Sequence, residues 1–253
     1  MSIQILSITN NPLQFIGRCA GICWNSPIDD PEKNIARAKD CIESGHGRVE
    51  EFPDISIVLD GESARMMREL YTHIGGSPTR LQSSTRYVNE KDFKHYTPPS
   101  CQKPGVNEVY EDGMQKIAEI YGKLIELGVP REDAANMLPL GMSSKMVWKV
   151  NLRTLINFFN LRLCTRALKE IRDFTNELKK VLASVDDEWK WLADSLFVPK
   201  CERYKFLNPA LCFCNEKKGC GRHPYIKSLA ITLNNIKTSV ITINKEGQNG
   251  NQH

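Results

Sequence analysis

The segment from 151 to 172 constrains the fold of this chain most, because it sets four arginines among apolar side chains. Its sequence is NLRTLINFFNLRLCTRALKEIR, with arginines at 153, 162, 166 and 172. A guanidinium is costly to bury unless an anion or a planar group receives its fork of donors. We therefore expect a buried helix end that meets a phosphate, a carboxylate or a heterocycle.

Composition indicates a globular chain with an ordinary core. The 253 residues are 41% hydrophobic and 25% charged, which fits one domain or one domain with an appendage. The net charge of +4 suits small anionic ligands as well as nucleic acid, so it does not decide between them. No apolar run is long enough to span a membrane, and we see no signal peptide. We expect a cytoplasmic protein with reduced cysteines.

Short strand patterns that alternate with helical patterns predict an α+β fold. Residues 2–8 and 54–60 alternate apolar and polar side chains, as half-buried strands do. Helices are predicted over 31–44, 62–71, 112–127, 130–139, 144–161 and 165–183. The helix over 112–127 is expected to begin at Asp112 and to bury a stripe through Ile117, Ile120, Leu124 and Leu127. The helix over 165–183 has a narrow apolar seam, which favours packing on another helix or subunit.

Four short blocks together resemble one enzyme family. The blocks are Gly45-His46…Glu51, His73…Ser84-Thr85-Arg86-Tyr87, Leu138-Pro139 and Asn151-Leu152-Arg153…Leu161-Arg162. In residues and in order they are similar to the motifs of the flavin-dependent thymidylate synthases, over roughly residues 10 to 200. The resemblance implies an antiparallel sheet packed with helices, in a homotetramer whose active sites are shared between subunits.

The resemblance also implies a reaction, namely FAD-dependent methylation of dUMP to dTMP. NADPH would reduce the flavin, methylenetetrahydrofolate would supply the carbon, and the protein would position the rings and stabilise charge. The flavin-binding positions of the family fall on His46, His73, Asn151, Arg153 and Asn157. From the residues alone, an asparagine that caps a helix and a surface arginine explain Asn151 and Arg153 as well.

The substrate-binding positions implied by the resemblance are Gln82, Ser84, Arg86 and Arg162. Arg162 is expected to hold the uracil ring, because a fixed guanidinium stabilises the negative charge that develops there. The serine-rich run before Arg86 also has the composition of an anion-binding nest, or of a plain loop. The alternative for Arg162 is a helix-end arginine that binds carbonyls or Glu170.

The chain departs from the family pattern at several charged positions. The family's arginines are replaced at three places, Thr72, Ile74 and Ala135. If the monophosphate still binds, we expect Arg80 and Arg166 to supply the missing charge, the latter from one helical turn after Arg162. The departures leave open an enzyme that acts on another pyrimidine nucleotide or uses another carbon donor.

A cysteine-rich segment predicts a structural zinc ion. Four cysteines and a histidine lie within 23 residues: Cys201, Cys212, Cys214, Cys220 and His223. We take the cysteines as the zinc ligands, with His223 or Cys214 as the spare residue if a site needs only four. Reduced cysteines packed in a small tail are the alternative.

These features divide the chain into a catalytic domain (1–199), a cysteine-rich tail (200–226) and a partly disordered extension (227–253). A non-catalytic, zinc-dependent binding module is the alternative from a different class of protein. Nucleic acid is not an expected partner, because the chain lacks an aromatic and basic strand of the kind that stacks bases.

Overall fold

A computed structural model describes residues 2–75 and 78–228. Four antiparallel strands form one sheet in the order β1-β2-β4-β3. Their bounds are β1 Ser2–Ile8, β2 Asp54–Ser63, β3 Thr79–Gln82 and β4 Ser143–Asn151. With the helices packed on this sheet, the fold is α+β, as predicted. Most of the extension predicted to be disordered, residues 229–253, lies outside the described residues.

The helices follow the predicted order, with two additions. Their bounds are α1 Pro12–Cys23, α2 Pro31–Glu43, α3 Ala64–Tyr71, α4 Val106–Glu126, α5 Arg131–Ala134, α6 Leu152–Arg162, α7 Lys169–Ala183 and α8 Asp187–Ser195. Helices α1 and α8 have no counterpart among the predicted helices. None of the helices within the described ranges is both long and apolar enough to cross a membrane.

Strand β4 corrects the prediction of a helix over 144–161. Met146, Trp148 and Val150 are buried while Lys145 and Lys149 are exposed, which is the two-residue period of a strand. β4 pairs with β2 on one side and with β3 on the other. The chain becomes helical only after Asn151, whose side chain accepts the N–H of Thr154 at 2.9 Å.

The core joins the sheet to helices α1, α2, α3, α6, α7 and α8. Trp148 meets Phe158 with ring centroids 5.2 Å apart, and Phe159 stacks on Phe197 at 4.1 Å. The predicted seam of α7 is buried within the chain through Ile171, Leu178 and Leu182. Because both aromatic residues of α6 are fully buried, the helix is held firmly against the sheet.

Helix α4 differs from the prediction in its first residue and in which of its side chains are buried. It begins at Val106, directly after Gly105 in the left-handed conformation (φ 79°), and not at Asp112. Only Met114 and Tyr121 of α4 are buried, whereas Ile120 is 44% and the following Leu127 is 81% exposed. Ile117 and Leu124 are half-buried, so the predicted stripe is only partly covered within one chain.

Candidate active site

A cavity of about 580 Å³ lies beside the first turns of α6. Arg153, Thr154 and Asn157 line it from α6, and Gly47 and Glu51 line it from the segment after α2. Arg203, Tyr204, Phe206 and Leu207 complete much of the remaining wall. The structure thus brings together the first and fourth sequence blocks around one space, which we call the first cavity.

Arg153 lines the first cavity and pairs with Glu51, which also lines it. Its Nη1 lies 2.5 Å from Oε1 of Glu51, and the two side chains are 53% and 33% exposed. A Cβ on Gly47 would lie 3.4 Å from the guanidinium carbon, so the glycine packs directly beside Arg153. An exposed ion pair of this kind is worth roughly 1 kcal/mol or less. An anionic ligand can therefore compete for Arg153.

Asn151 and His46, which are also predicted to bind flavin, have different surroundings from Arg153. Asn151 caps α6 through its side-chain oxygen, which is the structural role weighed for it. The side chain of His46 lines a separate surface cavity of about 330 Å³, together with Trp24, Arg37 and Cys41. Flavin contact by Asn151 and by His46 stays a prediction.

Arg162, at the end of α6, is held on several sides. Its Nη1 lies 2.7 Å from a carboxylate oxygen of Glu69, and its Nη2 donates to the hydroxyl of Thr72 at 2.9 Å. Its Nε donates to Nε2 of His73 at 2.9 Å. The arginine side chain is only 16% exposed. Its ionic partner is therefore Glu69 and not Glu170, whose carboxylate accepts the N–H and hydroxyl of Ser63.

His73 is a buried, neutral partner of this guanidinium. Burial, with the nearby charges of Arg162 and Arg80, lowers its pKa to about 4. Because Nε2 accepts from Arg162, we assign the ring proton to Nδ1. The ring packs edge-on against Phe158 at 5.0 Å between centroids. His73 thus joins Arg162 to the core, and its proposed contact with flavin stays a prediction.

Arg80 approaches the same group from β3. One of its terminal nitrogens donates to the carbonyl of His73, and its guanidinium lies 5.1 Å from the ring centre of Tyr71. Partial burial lowers the pKa of Arg80. Arg80 is thus close to His73, although its observed partners are protein groups.

The remaining substrate residues lie at the end of β3 and in the loop after it. Gln82 donates to the hydroxyl of Ser144 at 3.0 Å, and the hydroxyl of Ser84 accepts the N–H of Arg86 at 3.3 Å. The guanidinium of Arg86 pairs with Glu132 at 3.0 Å in an exposed ion pair. These residues keep their predicted order, and their contact with a nucleotide stays a prediction.

A second cavity, of about 360 Å³, lies beside the end of α6. Arg162 and Arg166 both line it, although α6 ends at Arg162, so that Arg166 lies in the turn before α7 and not on the next turn of the same helix as expected. Cysteines also line it: Cys164, Cys201, Cys214 and Cys220. Arg166 pairs with Glu216 of the cysteine-rich segment at 3.0 Å, and both side chains are about half exposed.

The predicted zinc ligands are arranged differently from the expected set of four cysteines. Cys201, Glu202 and His223 place one potential ligand atom each within 4.8 Å of one another. In the part of the chain that the structure describes, no such group of three includes Cys212, Cys214 or Cys220. Cys212 is buried and does not line the second cavity.

Sequence reasoning missed Glu69, the ionic partner of Arg162. Glu69 lies in the last turn of α3, where an acidic residue looks like any other surface carboxylate. Arg162 and Glu69 are far apart in the chain, so no spacing rule joins them. The usable signal was the buried arginine itself, which requires an acceptor.

Comparisons with known proteins agree with the sequence blocks. The chain matches the family model described as "Thymidylate synthase complementing protein" over residues 4–186. It is 35% identical over 202 residues to a flavin-dependent thymidylate synthase of Sulfolobus acidocaldarius, covering 80% of this chain and 69% of that protein. It is 31% identical over 195 residues to the Geobacter sulfurreducens protein of the same name, covering 73% and 83%.

The fold also resembles a solved structure. This is a flavin-dependent thymidylate synthase from Helicobacter pylori, complexed with FAD and dUMP. The TM-score is 0.61 at 20% sequence identity, and the match covers 78% of this chain and 99% of that one. At this identity the likeness concerns the fold.

Proposed function

This chain belongs to the flavin-dependent thymidylate synthase family, and we propose that it catalyses the reductive methylation of dUMP to dTMP. It is a methyltransferase that depends on FAD. We propose NADPH as the reductant and methylenetetrahydrofolate as the carbon donor, as the four sequence blocks imply. FAD supplies the hydride chemistry when it is bound, and the residues of the chain bind and orient it.

The meeting of two family blocks at the first cavity carries this proposal. Its volume of about 580 Å³ lies within the range of about 300–1,000 Å³ that is usual for small-molecule sites. Arg153 offers a charged fork of donors and Asn157 an amide, and Gly47 lines the same space. We infer that Arg153 and Asn157 bind the flavin cofactor there.

Replacing Arg153 with alanine tests the flavin site. We expect Arg153→Ala to weaken FAD binding about tenfold or more, because a charged hydrogen bond is worth about 1.5–3 kcal/mol. Arg48→Ala is the matched control, since Arg48 faces the same Glu51 at 3.9 Å but is 85% exposed and does not line the first cavity. FAD affinity is measured by flavin fluorescence titration. Equal affinity of the Arg153 variant and the parent would remove Arg153 from the site.

Arg162 is the residue that we propose to act on the nucleotide ring. Its contacts with Glu69, Thr72 and His73 fix the guanidinium before any ligand arrives. A donor fixed in advance stabilises developing negative charge without the cost of reorganising it during the reaction. Glu69 offsets part of the positive charge of Arg162 and fixes the orientation of its guanidinium.

Arg86 and Arg166 are proposed to bind the phosphate, although each holds a carboxylate of the chain. The Arg86–Glu132 and Arg166–Glu216 pairs are both exposed, at 3.0 Å. Such pairs contribute roughly 1 kcal/mol or less, so a phosphate can displace the carboxylates. Because Arg80 donates to the carbonyl of His73, we propose a supporting role for Arg80 near the nucleotide ring.

The second candidate function is turnover of a different pyrimidine nucleotide, or use of another carbon donor. The residues at Thr72, Ile74 and Ala135 favour it, because the family's arginines are missing at these three positions. Incubation of the flavin-loaded protein with NADPH, methylenetetrahydrofolate and either dUMP or dCMP separates the two. Formation of dTMP from dUMP supports the first proposal, and methylation of dCMP alone replaces it with the second.

We propose that the protein assembles as a homotetramer with shared active sites. The support within this chain is α4, whose apolar side chains are exposed at Val109 (72%) and Ile120 (44%), followed by Leu127 (81%). Exposed apolar residues gathered along one long helix favour contact with another subunit.

A further inference from the structure

Three side chains of different chemistry converge in the cysteine-rich segment. The Sγ of Cys201, a carboxylate oxygen of Glu202 and a ring nitrogen of His223 lie within 4.8 Å of one another. The Glu202 and His223 atoms are 3.2 Å apart. Ligand atoms around a tetrahedral zinc ion at 2.0–2.3 Å are about 3.3–3.8 Å from one another. A small inward movement of the thiol brings all three to zinc-binding distance.

Backbone hydrogen bonds hold the three stretches of chain that meet here. The N–H of Phe213 donates to the carbonyl of Cys201 at 3.0 Å, and the N–H of Cys214 donates to the carbonyl of Pro224 at 2.7 Å. The N–H of Ile226 returns to the carbonyl of Cys214 at 2.9 Å. Cys214 therefore lies between the stretch that carries Cys201 and the stretch that carries His223.

Cys214 has the surroundings of a thiolate ligand. Its Sγ accepts the N–H of Glu216, two residues later, at 3.4 Å. A Cβ on Gly219 would come within 3.0 Å of the same sulfur, so the chain folds closely around it. Hydrogen bonds and close packing of this kind orient metal ligands in proteins.

The segment lacks an apolar core of its own. Between residues 200 and 228 it contains two 3₁₀ turns, Lys200–Glu202 and Pro209–Leu211, and an isolated bridge between Cys214 and Tyr225. Cys212 is the one buried apolar residue in that described stretch. Short segments with so little buried apolar surface usually need a crosslink or a metal to keep one structure.

We propose that this segment binds one structural zinc ion through Cys201, Glu202 and His223, with Cys214, whose thiol lies outside this group of three, moving towards the ion as the fourth ligand. The mixed sulfur, nitrogen and oxygen set suits zinc better than magnesium or calcium, which prefer oxygen. Two thiolates and one carboxylate carry three negative charges against two on the ion. Arg222 and Lys205, which lie 3.3 Å and 3.7 Å from the oxygens of Glu202, offset the excess.

Metal analysis of the full-length, freshly reduced protein tests the proposal. Protein loaded with zinc and dialysed free of excess should retain about one equivalent per chain. Cys201→Ser and His223→Gln should each lose most of it, because a lost ligand costs more than the roughly 10–100-fold that a lost ligand-orienting partner costs. Cys220→Ser is the matched control, since Cys220 lies in the same segment but outside the ligand set.

Two further measurements distinguish a lost zinc ligand from a loss of folding. Cobalt(II) in place of zinc should give a visible spectrum with sulfur-to-cobalt absorption that weakens in Cys201→Ser and in Cys214→Ser alike. Circular dichroism identifies a variant that fails to fold, in which case the other variants carry the test.

Three outcomes would overturn the proposal. They are a reduced parent that retains no zinc, a Cys201→Ser variant that retains a full equivalent, and a site lost with Cys220 but not with His223. Metal content is read without flavin or turnover, so its failure leaves the proposed activity untouched.

Discussion

At the scale of single residues, Arg162 decides most of the proposed chemistry. Its guanidinium is fixed by Glu69, Thr72 and His73 before a nucleotide binds. Sequence blocks identify Arg162 and His73, but not their contact, because 89 positions separate them in the chain. Glu69 carries no motif at all. Residue identities were predictable here, whereas the pairing that fixes the charge required the fold.

Arg162→Ala should lower kcat for dUMP about 100-fold or more while FAD stays bound. The reason is that the loss of one preorganised donor to a developing anion costs about 2.7–4 kcal/mol, and Arg162 does not line the first cavity. Turnover is measured by release of tritium from C5 of the nucleotide. Arg68→Ala, an exposed arginine on the neighbouring α3, is the control and should behave like the parent. An unchanged kcat for the Arg162 variant would exclude Arg162 from the mechanism.

At the scale of elements, the boundary between β4 and α6 was the hardest part to predict. Met146, Val147 and Trp148 form a short apolar run, and such runs fit a buried helix as well as a strand. The exposed Lys145 and Lys149 mark the two-residue period, but a helical reading of 152–162 extends easily backward over them. Pairing with β2 and β3 decides the matter, and local patterns do not report pairing.

Helix α4 gives a prediction at the same scale. Ile120→Glu should shift the protein from the proposed tetramer towards smaller species, because a carboxylate buried at a subunit contact is costly to desolvate. Light scattering after size-exclusion chromatography measures the mass. Glu119→Gln, the exposed neighbour in sequence, is the control and should leave the mass unchanged. A tetramer that survives Ile120→Glu at low concentration would mean that another surface assembles the protein.

At the scale of the whole molecule, two buried groups bias stability in opposite directions with pH. Burial, with the neighbouring carboxylates of Glu170 and Asp60, raises the pKa of Glu62 from 4.5 to about 7. Its carboxylate oxygens accept no hydrogen bond from any described residue. The folded state therefore favours the protonated form of Glu62. The contribution of Glu62 to the free energy of unfolding is fully present below pH 4.5 and is lost as the pH rises through 7.

The buried His73 acts with the opposite sign. Its pKa falls from 6.5 to about 4 on folding. The contribution of His73 to the free energy of unfolding is therefore present above pH 6.5 and is lost as the pH falls towards 4. Over the pH range in which both groups change protonation on folding, their opposite effects on the free energy of unfolding largely cancel. The parent protein should therefore change little in stability between pH 5 and 6, where these groups alone are concerned.

Removing the charge of Glu62 should expose the His73 dependence. Glu62→Gln should raise the free energy of unfolding above pH 7 by roughly 3 kcal/mol, with little change at pH 4. Urea denaturation at several pH values measures it, and Glu119→Gln serves again as the exposed control. A Glu62 variant that is no more stable than the parent at pH 8 would show that this carboxylate is stabilised by a partner.

Helix α6 runs from the first cavity to the second, over 11 residues and so on the order of 16 Å. Aligned peptide dipoles place partial positive charge at its beginning and partial negative charge at its end. The start of the helix thus attracts a phosphate-bearing cofactor, whereas its end repels a nucleotide's phosphate and anionic ring. Arg162 lies in the last turn and Arg166 in the turn that follows the helix, so part of their charge must first reverse the sign of the field there.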